Sequence, residues 1–237
     1  MNSPRGGHVS TNKSSRQHKS EKIVALLDRD LKLAESDVLD LGAGAGLFSS
    51  YVMPQAKSVV AADRDISQFV PDDIEIQATE GTKLPFQDGS FDLVVYNHVI
   101  EHVGLRHEQA EALIEIRRVL RPEGCLYLAV PNRYTFIEPH YGLPFLSWLP
   151  QSIANKWVAA TGKNDWYDCN PFRLGELKAL LGDSGFKVDD RTVDAFYALL
   201  KIEKSHTTLG RLAAKLPRFI VKLAMPIMPT FVVVCKT

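Results

Sequence analysis

Cysteine is scarce in this 237-residue chain, which has three: Cys125, Cys169 and Cys235. Their spacing fits neither a zinc site nor a redox pair, and an odd number completes no disulfide framework. Cys125 and Cys235 lie in apolar, strand-like runs, so they read as small buried hydrophobes in a reducing compartment. Net charge is lacking too, because 28 basic residues balance 28 acidic ones. That removes the whole-molecule electrostatic case for nucleic acid, and no nucleic-acid partner is expected. The N-terminus is polar through Lys22 and lacks the apolar stretch of a signal peptide. Long hydrophobic runs are also missing. The most apolar stretch, Phe219 to Val234, is short and interrupted by Lys222, Pro226 and Pro229, so it is not a membrane span. A cytoplasmic location is the expectation. No internal repeat is apparent.

An apolar fraction of 45% and a charged fraction of 24% can build an ordinary globular core. The length suits one large domain over residues 16–237, behind a disordered tail at 1–15, with insertions at about 131–170 and 194–229. A helical period runs from about Ser20 to Leu31. Val38 to Leu41 is a short buried strand that feeds glycines, and a helix starts near Phe48. Further strands read Ser58 to Ala62, Ile74 to Gln77 and Phe91 to Tyr96. A helix follows from about His107 to Leu120, and Arg121-Pro122-Glu123-Gly124 stops it ahead of the strand Cys125 to Val130. A helix near Arg173 to Asp183, a strand near Phe186 to Val193 and a final strand, Phe231 to Cys235, complete the order. Alternating strands and helices predict a mainly parallel seven-stranded α/β sheet with helices on both faces. Ligands in such folds bind at the carboxyl ends of the strands.

The strongest chemical signal is Val38-Leu39-Asp40-Leu41-Gly42-Ala43-Gly44-Ala45-Gly46. A glycine lets the backbone approach a ligand, and the helix that follows offers free N–H groups. Asp63 ends the next strand, where a carboxylate can accept bonds from both ribose hydroxyls. A dinucleotide enzyme would use the same pair. Its fingerprint places a third glycine three positions after the second, where this chain has Leu47; here the third glycine, Gly46, comes early. Asp40 would also oppose a pyrophosphate, but it can orient a cationic or amino-acid ligand. Both features turn the reading away from a nicotinamide cofactor and toward a nucleoside with a methionine tail.

In this loop, and in the segments GTKLPFQDGSFDLVVYNHVIEHV and RRVLRPEGCLYLAVPN, the chain resembles the class I S-adenosylmethionine-dependent methyltransferases of the small-molecule, type 11-like group. The resemblance covers about residues 20–130 and implies a Rossmann-like methyltransferase fold with S-adenosylmethionine as cofactor. It implies that Asp40, Gly42, Gly44 and Gly46 surround the methionine and ribose portions. Asp63 would bind the ribose hydroxyls, with Arg64 beside the adenine. Glu80 stands where the family usually has an Asp for the adenine amino group, and Gly81 would offer its N–H to the ring. Asn97 and His98 would meet the methionine end. Arg16 or Lys19 could pair with the cofactor carboxylate.

The cofactor carries an activated methyl group, so the protein needs a base only for a poor nucleophile such as a hydroxyl. His102 and His140, near the carboxyl ends of the fourth and fifth strands, are the candidate catalytic bases. A helix-start histidine and a loop histidine without a role are the plainer alternatives. Glu138 and His140 have no second clear pair of ligands beside them, so no metal is expected. The aromatic, proline-rich stretch PNRYTFIEPHYGLPFLSWLP reads as an acceptor-side insertion, since long insertions are usually functional. It resembles a subset of bacterial methyltransferases of cell-surface saccharide or lipid-linked glycan synthesis. The expected reaction is methylation of a hydroxyl on a small-molecule, saccharide or lipid-linked acceptor. The alternatives are N- or C-methylation, or a non-catalytic cofactor-binding regulatory protein. No acid occurs from Lys204 onward, while Arg211, Lys215, Arg218 and Lys222 recur at helical spacing beside Leu212, Leu216, Phe219 and Leu223. Residues 209–223 therefore read either as peripheral contact with an anionic inner membrane face or as domain helices with an exposed basic side, split at Pro217.

Overall fold

The computed structural model describes residues 13–237, with side chains from Gln17 onward. The expected tail therefore lies outside the described residues up to residue 12, and its last residues form the first turn of a helix. In chain order the elements are α1 (Lys13–Leu27), β1 (Asp37–Leu41), α2 (Leu47–Val52), β2 (Ser58–Asp63), β3 (Glu75–Ala78), β4 (Phe91–Asn97), α3 (Arg106–Val119) and β5 (Leu120–Pro131). Then come α4 (Gln151–Ala160), α5 (Leu174–Asp183), β6 (Lys187–Asp190), α6 (Thr192–Ile202), α7 (Thr208–Ala213), α8 (Arg218–Ala224) and β7 (Thr230–Lys236).

The strands form one seven-stranded sheet in the order β3-β2-β1-β4-β5-β7-β6. All pairings are parallel except those of β7, which runs antiparallel to both neighbours. Strand alternation divides the core. Leu39, Val94, Tyr96, Leu126, Leu128 and Val233 face one side, where α3 and α5 bring Leu113, Ile116, Leu177 and Leu181. Val38, Leu93, Val95, Tyr127 and Val234 face the other, where α1 brings Ile23, Leu26 and Leu27. Successive strand residues point to opposite faces, so apolar runs such as Leu93-Val94-Val95 serve both layers.

Three local readings change. Arg121 to Gly124 ends α3 but stays within β5, as an irregularity between the pairs Phe91↔Leu120 and Leu93↔Cys125. Glu123 absorbs the turn with φ 65°. The strand expected through Val193 stops at Asp190, where the Asp190 carboxylate accepts the Thr192 N–H at 3.1 Å and α6 begins. The first insertion is not structureless. It contains α4 and a small core of its own, in which Tyr141, Leu146, Ala154, Val158, Tyr167 and Cys169 are buried together.

β1 lies between β2 and β4, so the chain leaves β1 toward one edge of the sheet and returns on its other side at β4. The loops after β1 and β4 therefore diverge, and a crevice opens at their carboxyl ends.

Candidate active site

The glycine loop is stitched to β2 and its following residues. Gly42 N–H donates to the Ala62 carbonyl at 2.7 Å, and Gly44 N–H donates to Asp63 Oδ2 at 2.7 Å. Asp63 Oδ1 accepts the Asp65 N–H at 3.0 Å. Each Asp63 oxygen thus carries one backbone bond and keeps further acceptor capacity. Gly44 and Gly46 both have positive φ but different surroundings. A Cβ on Gly44 would meet nothing within 4 Å, whereas one on Gly46 would lie 2.6 Å from Phe69 and Pro71. Gly44 keeps a space open, and Gly46 lets α2 begin against its neighbours.

A cavity of about 290 Å³ lies beside this loop, lined by Gly42, Asp63, Arg64, Gly81 and His98 among others. The remaining expected cofactor residues sit elsewhere. Asp40 is buried beneath the loop, and its carboxylate accepts the Ser49 hydroxyl at 2.5 Å. Burial, aided by the charge of Asp63 and only partly offset by the Ser49 bonds, raises its pKa to about 6. Glu80 is exposed, its backbone forming an isolated antiparallel β-bridge with Lys83, and it does not line the cavity, although Thr79, Gly81 and Thr82 do. Asn97 lines a second cavity, of about 360 Å³, with Lys19, Phe196, Leu199, Met228 and Val232. Lys19 stands at that second cavity rather than at the glycine loop, and the Arg16 side chain lies outside the described residues. His98 lines both cavities.

His98 is one of few non-glycine residues with positive φ, at 58°, and its N–H is pinned to the Ala129 carbonyl at 2.9 Å. Side chains with a Cβ seldom adopt that conformation unless the surroundings enforce it. The turn that follows carries Glu101 and His102 into the same region. Glu101 is fully buried, with Oε1 3.2 Å from His98 Nδ1 and 3.5 Å from His140 Nε2. His140 arrives from the first insertion, where Glu138, also fully buried, takes its Nδ1 at 2.8 Å. Glu138 Oε2 further accepts the N–H groups of His140 and Tyr141 at 2.8 and 2.6 Å. The buried thiol of Cys169 lies 3.8 Å from His140 Nδ1.

Burial alone would push the Glu101 carboxyl up, but hydrogen bonds from His140 and His98 and the nearby histidine charges hold it at about 2. Burial disfavours a charged His140. Its bonds to Cys169, Glu101 and Glu138 outweigh this and raise its pKa well above the ordinary value. His140 was expected to be a base, yet both its nitrogens face carboxylates and its proton is held tightly. It is poorly placed to take a proton from an acceptor. His102 is different. Its Nδ1 lies 3.2 Å from the Asp168 carbonyl, which can only accept, so Nδ1 carries the proton and Nε2 is the acceptor. His102 also lines the cavity beside the glycine loop. The sequence paired Glu138 with His140 but did not bring Glu101 or Asp168 to them, because the three lie in different segments and meet only through the folded insertion.

Comparison with known proteins supplies the family. Residues 39–128 match the methyltransferase domain model. A protein of Mycolicibacterium smegmatis described as a probable S-adenosylmethionine-dependent methyltransferase is 29% identical over 187 residues, covering 74% of this chain and 62% of that protein. A demethylmenaquinone methyltransferase of Beutenbergia cavernae is 30% identical over 194 residues, covering 73% of this chain and 77% of that one. The chain belongs to the class I S-adenosylmethionine-dependent methyltransferases. The chain spans 62% of the length of its Mycolicibacterium relative and 37% of a Mycobacterium tuberculosis relative. A solved S-adenosylmethionine-dependent methyltransferase from Mesorhizobium loti shares the fold, with a TM-score of 0.59 at 18% identity over 90% of this chain and 96% of that one. S-Adenosylmethionine is the cofactor of this methyltransferase family. The cavity beside Gly42, Gly44 and Asp63 fits it, with a backbone left open at Gly44 and a carboxylate at the end of β2.

Proposed function

We infer that this chain transfers a methyl group to a hydroxyl of a small, partly apolar acceptor, with a lipid-linked or saccharide molecule as the favoured class. The observation that carries this reading is His98, which lines both the cavity beside the glycine loop and the larger, mostly apolar one. A donor in the first cavity and an acceptor in the second would meet beside it. When bound, S-adenosylmethionine supplies a methyl group on a sulfonium, and the electron pair of the broken carbon–sulfur bond stays on sulfur. The protein's own contribution is alignment and proton removal. Asp63 holds the ribose end. The acceptor oxygen forms the new bond to carbon, and its hydroxyl proton passes to Nε2 of His102, whose ring is oriented by the Asp168 carbonyl. The buried carboxylate of Glu101 holds His98, which borders both cavities, and is itself paired with His140, whose other nitrogen Glu138 takes.

The acceptor class rests on the elements that build the larger cavity. Phe196 and Leu199 come from α6, which also packs against α7 and α8. The outer side of those short helices exposes Leu209, Leu212, Phe219 and Leu223 beside Arg211, Lys215 and Lys222. An anionic membrane surface complements such a face. It would bring the acceptor cavity close to the lipid.

The test combines calorimetry with transfer of a labelled methyl group into two acceptor pools, an organic-solvent lipid extract and an aqueous saccharide extract of the source cells. The expected result is S-adenosylmethionine binding and label in an alkali-stable ether in the lipid pool. Label on nitrogen or carbon would select the alternative acceptor chemistry. Binding without any transfer would make the chain a cofactor-binding regulatory protein, and no binding would overturn the reading altogether. His102→Gln should lower kcat far more than it weakens S-adenosylmethionine binding.

A further inference from the structure

The polar cluster behind His98 has a geometry that proton sharing alone does not require. Glu101 is fully buried, yet its Oε2 has no hydrogen-bond partner among the described residues. A buried carboxylate oxygen without a partner costs free energy, because water no longer satisfies it. The other oxygen, Oε1, faces two histidine nitrogens that come from distant parts of the chain, His98 Nδ1 at 3.2 Å and His140 Nε2 at 3.5 Å. One ligand atom from each of these three residues lies within 4.8 Å of the other two. Metal–ligand bonds of about 2.0–2.1 Å in a tetrahedron put neighbouring ligand atoms about 3.4 Å apart. The two measured separations match that edge.

The surroundings match a metal site as well. A histidine that ligates through one nitrogen commonly donates the other N–H to a carboxylate, which fixes its ring and raises its basicity. Glu138 does this for His140, 2.8 Å from Nδ1, and is itself held by the N–H groups of His140 and Tyr141. His98 is held in an uncommon backbone conformation, φ 58°, as expected of a side chain fixed for function. The alternative trio, Glu138, His140 and Cys169, shares the ring, but Glu138 already occupies Nδ1 as a hydrogen-bond acceptor.

We propose that His98, Glu101 and His140 form a binding site for a divalent transition-metal ion of the zinc class, with Glu138 as the positioning residue of His140. Two histidines and one carboxylate suit Zn²⁺, Fe²⁺ or Co²⁺ better than Mg²⁺ or Ca²⁺, which favour oxygen ligands. Three protein ligands leave a coordination position for an exchangeable oxygen, and His98 borders both cavities. A role in lowering the pKa of an acceptor hydroxyl rests on the methyl-transfer reading above; the metal site itself does not.

The experiment uses the full chain, stripped with a chelator and titrated with Co²⁺ while its visible d–d absorption is followed, with Zn²⁺ as competitor. Saturation at one ion per chain is expected, with bands of a nitrogen- and oxygen-ligated ion that Zn²⁺ abolishes. His98→Ala and Glu101→Gln should each remove the bands, and Glu138→Gln should weaken binding by about 10–100-fold. Thermal unfolding and far-ultraviolet circular dichroism of each variant without metal report whether it is folded. His98, whose side chain is partly exposed, is the substitution least able to disturb the core. A wild type that gives no bands, or a folded His98→Ala variant that binds Co²⁺ as the wild type does, overturns the site. Neither outcome bears on methyl transfer, which the labelled-methyl assay reads separately.

Discussion

The backbone N–H of Gly44 donates to Oδ2 of Asp63 at 2.7 Å, across 19 residues of sequence. This bond joins the glycine loop to the carboxylate at the end of β2, the two elements proposed to recognise the cofactor. The loop is held in its open shape by a carboxylate that keeps lone pairs free for the proposed ribose contact. Asp63→Ala should therefore remove ligand contacts and release the loop together. Loss of charge-assisted hydrogen bonds worth about 1.5–3 kcal/mol predicts at least a tenfold weaker Kd for S-adenosylmethionine. Calorimetry measures this, and an unchanged Kd would show that Asp63 is only a loop anchor.

The glycines of the same loop should separate under substitution. Both take positive φ, so any Cβ costs about 1–2 kcal/mol. Gly46→Ala adds a clash with Phe69 and Pro71 at 2.6 Å, and it should lower the unfolding midpoint strongly. Gly44→Ala meets nothing within 4 Å, so its stability loss should stay near the backbone cost while cofactor affinity falls. Denaturant unfolding and calorimetry on both variants give the comparison. Equal stability losses would contradict it.

Asp40 sets a pH dependence of stability. Burial raises its pKa from 3.8 to about 6 in the folded chain. A group raised on folding binds its proton more tightly in the native state. Its contribution to stability is complete below pH 3.8 and is lost as pH rises through about 6. The wild type should lose on the order of 3 kcal/mol over that window relative to Asp40→Asn, whose amide oxygen can still accept from Ser49. Urea unfolding of the two proteins across the window measures the difference, and parallel curves would count against the shift.

Much of this site was legible in the sequence because it lies where strand ends meet short loops. Val38 to Gly46 and Ser58 to Asp63 each combine a buried strand with the turn it feeds, and both formed as read. The antiparallel β7 was legible as a β-branched run, though its direction was not, since direction depends on the crossover. The acid–histidine cluster was hidden for a different reason. Glu101 and His140 are 39 positions apart and meet only because the insertion packs around Tyr141, Leu146 and Tyr167 into a core of its own. Prolines and aromatics made that stretch read as loop. The spacing of Ala154 and Val158, one turn apart on a buried helix face, is the local signal that α4 leaves. Glu80, which family position places at the adenine, is exposed between Thr79 and Gly81 of the cavity lining, and its proposed contact awaits a bound ligand.

The face formed by α7 and α8 makes the last prediction. Pro217 divides the segment as expected, standing before the first turn of α8. Arg218 leaves the basic row, because it pairs with Asp194 at 2.8 Å. Arg211, Lys215 and Lys222 remain beside Leu209 and Leu223, each 78% exposed, and Phe219, 66% exposed. No described helix is long and apolar enough to cross a membrane. Each cation near an anionic leaflet is worth about 1 kcal/mol, and a buried Phe or Leu about 1.5–3 kcal/mol. The chain should sediment with phosphatidylglycerol vesicles, less with phosphatidylcholine, and high salt should lower the first to the level of the second, since salt screens the basic row but not the apolar contact. Phe219→Ser combined with Leu223→Ser should lower the partition coefficient at least tenfold and leave methyl transfer to a detergent-dispersed acceptor intact. No sedimentation with either vesicle, or binding that survives in the double variant, would remove this face from membrane contact and leave α7 and α8 as a cover for the larger cavity.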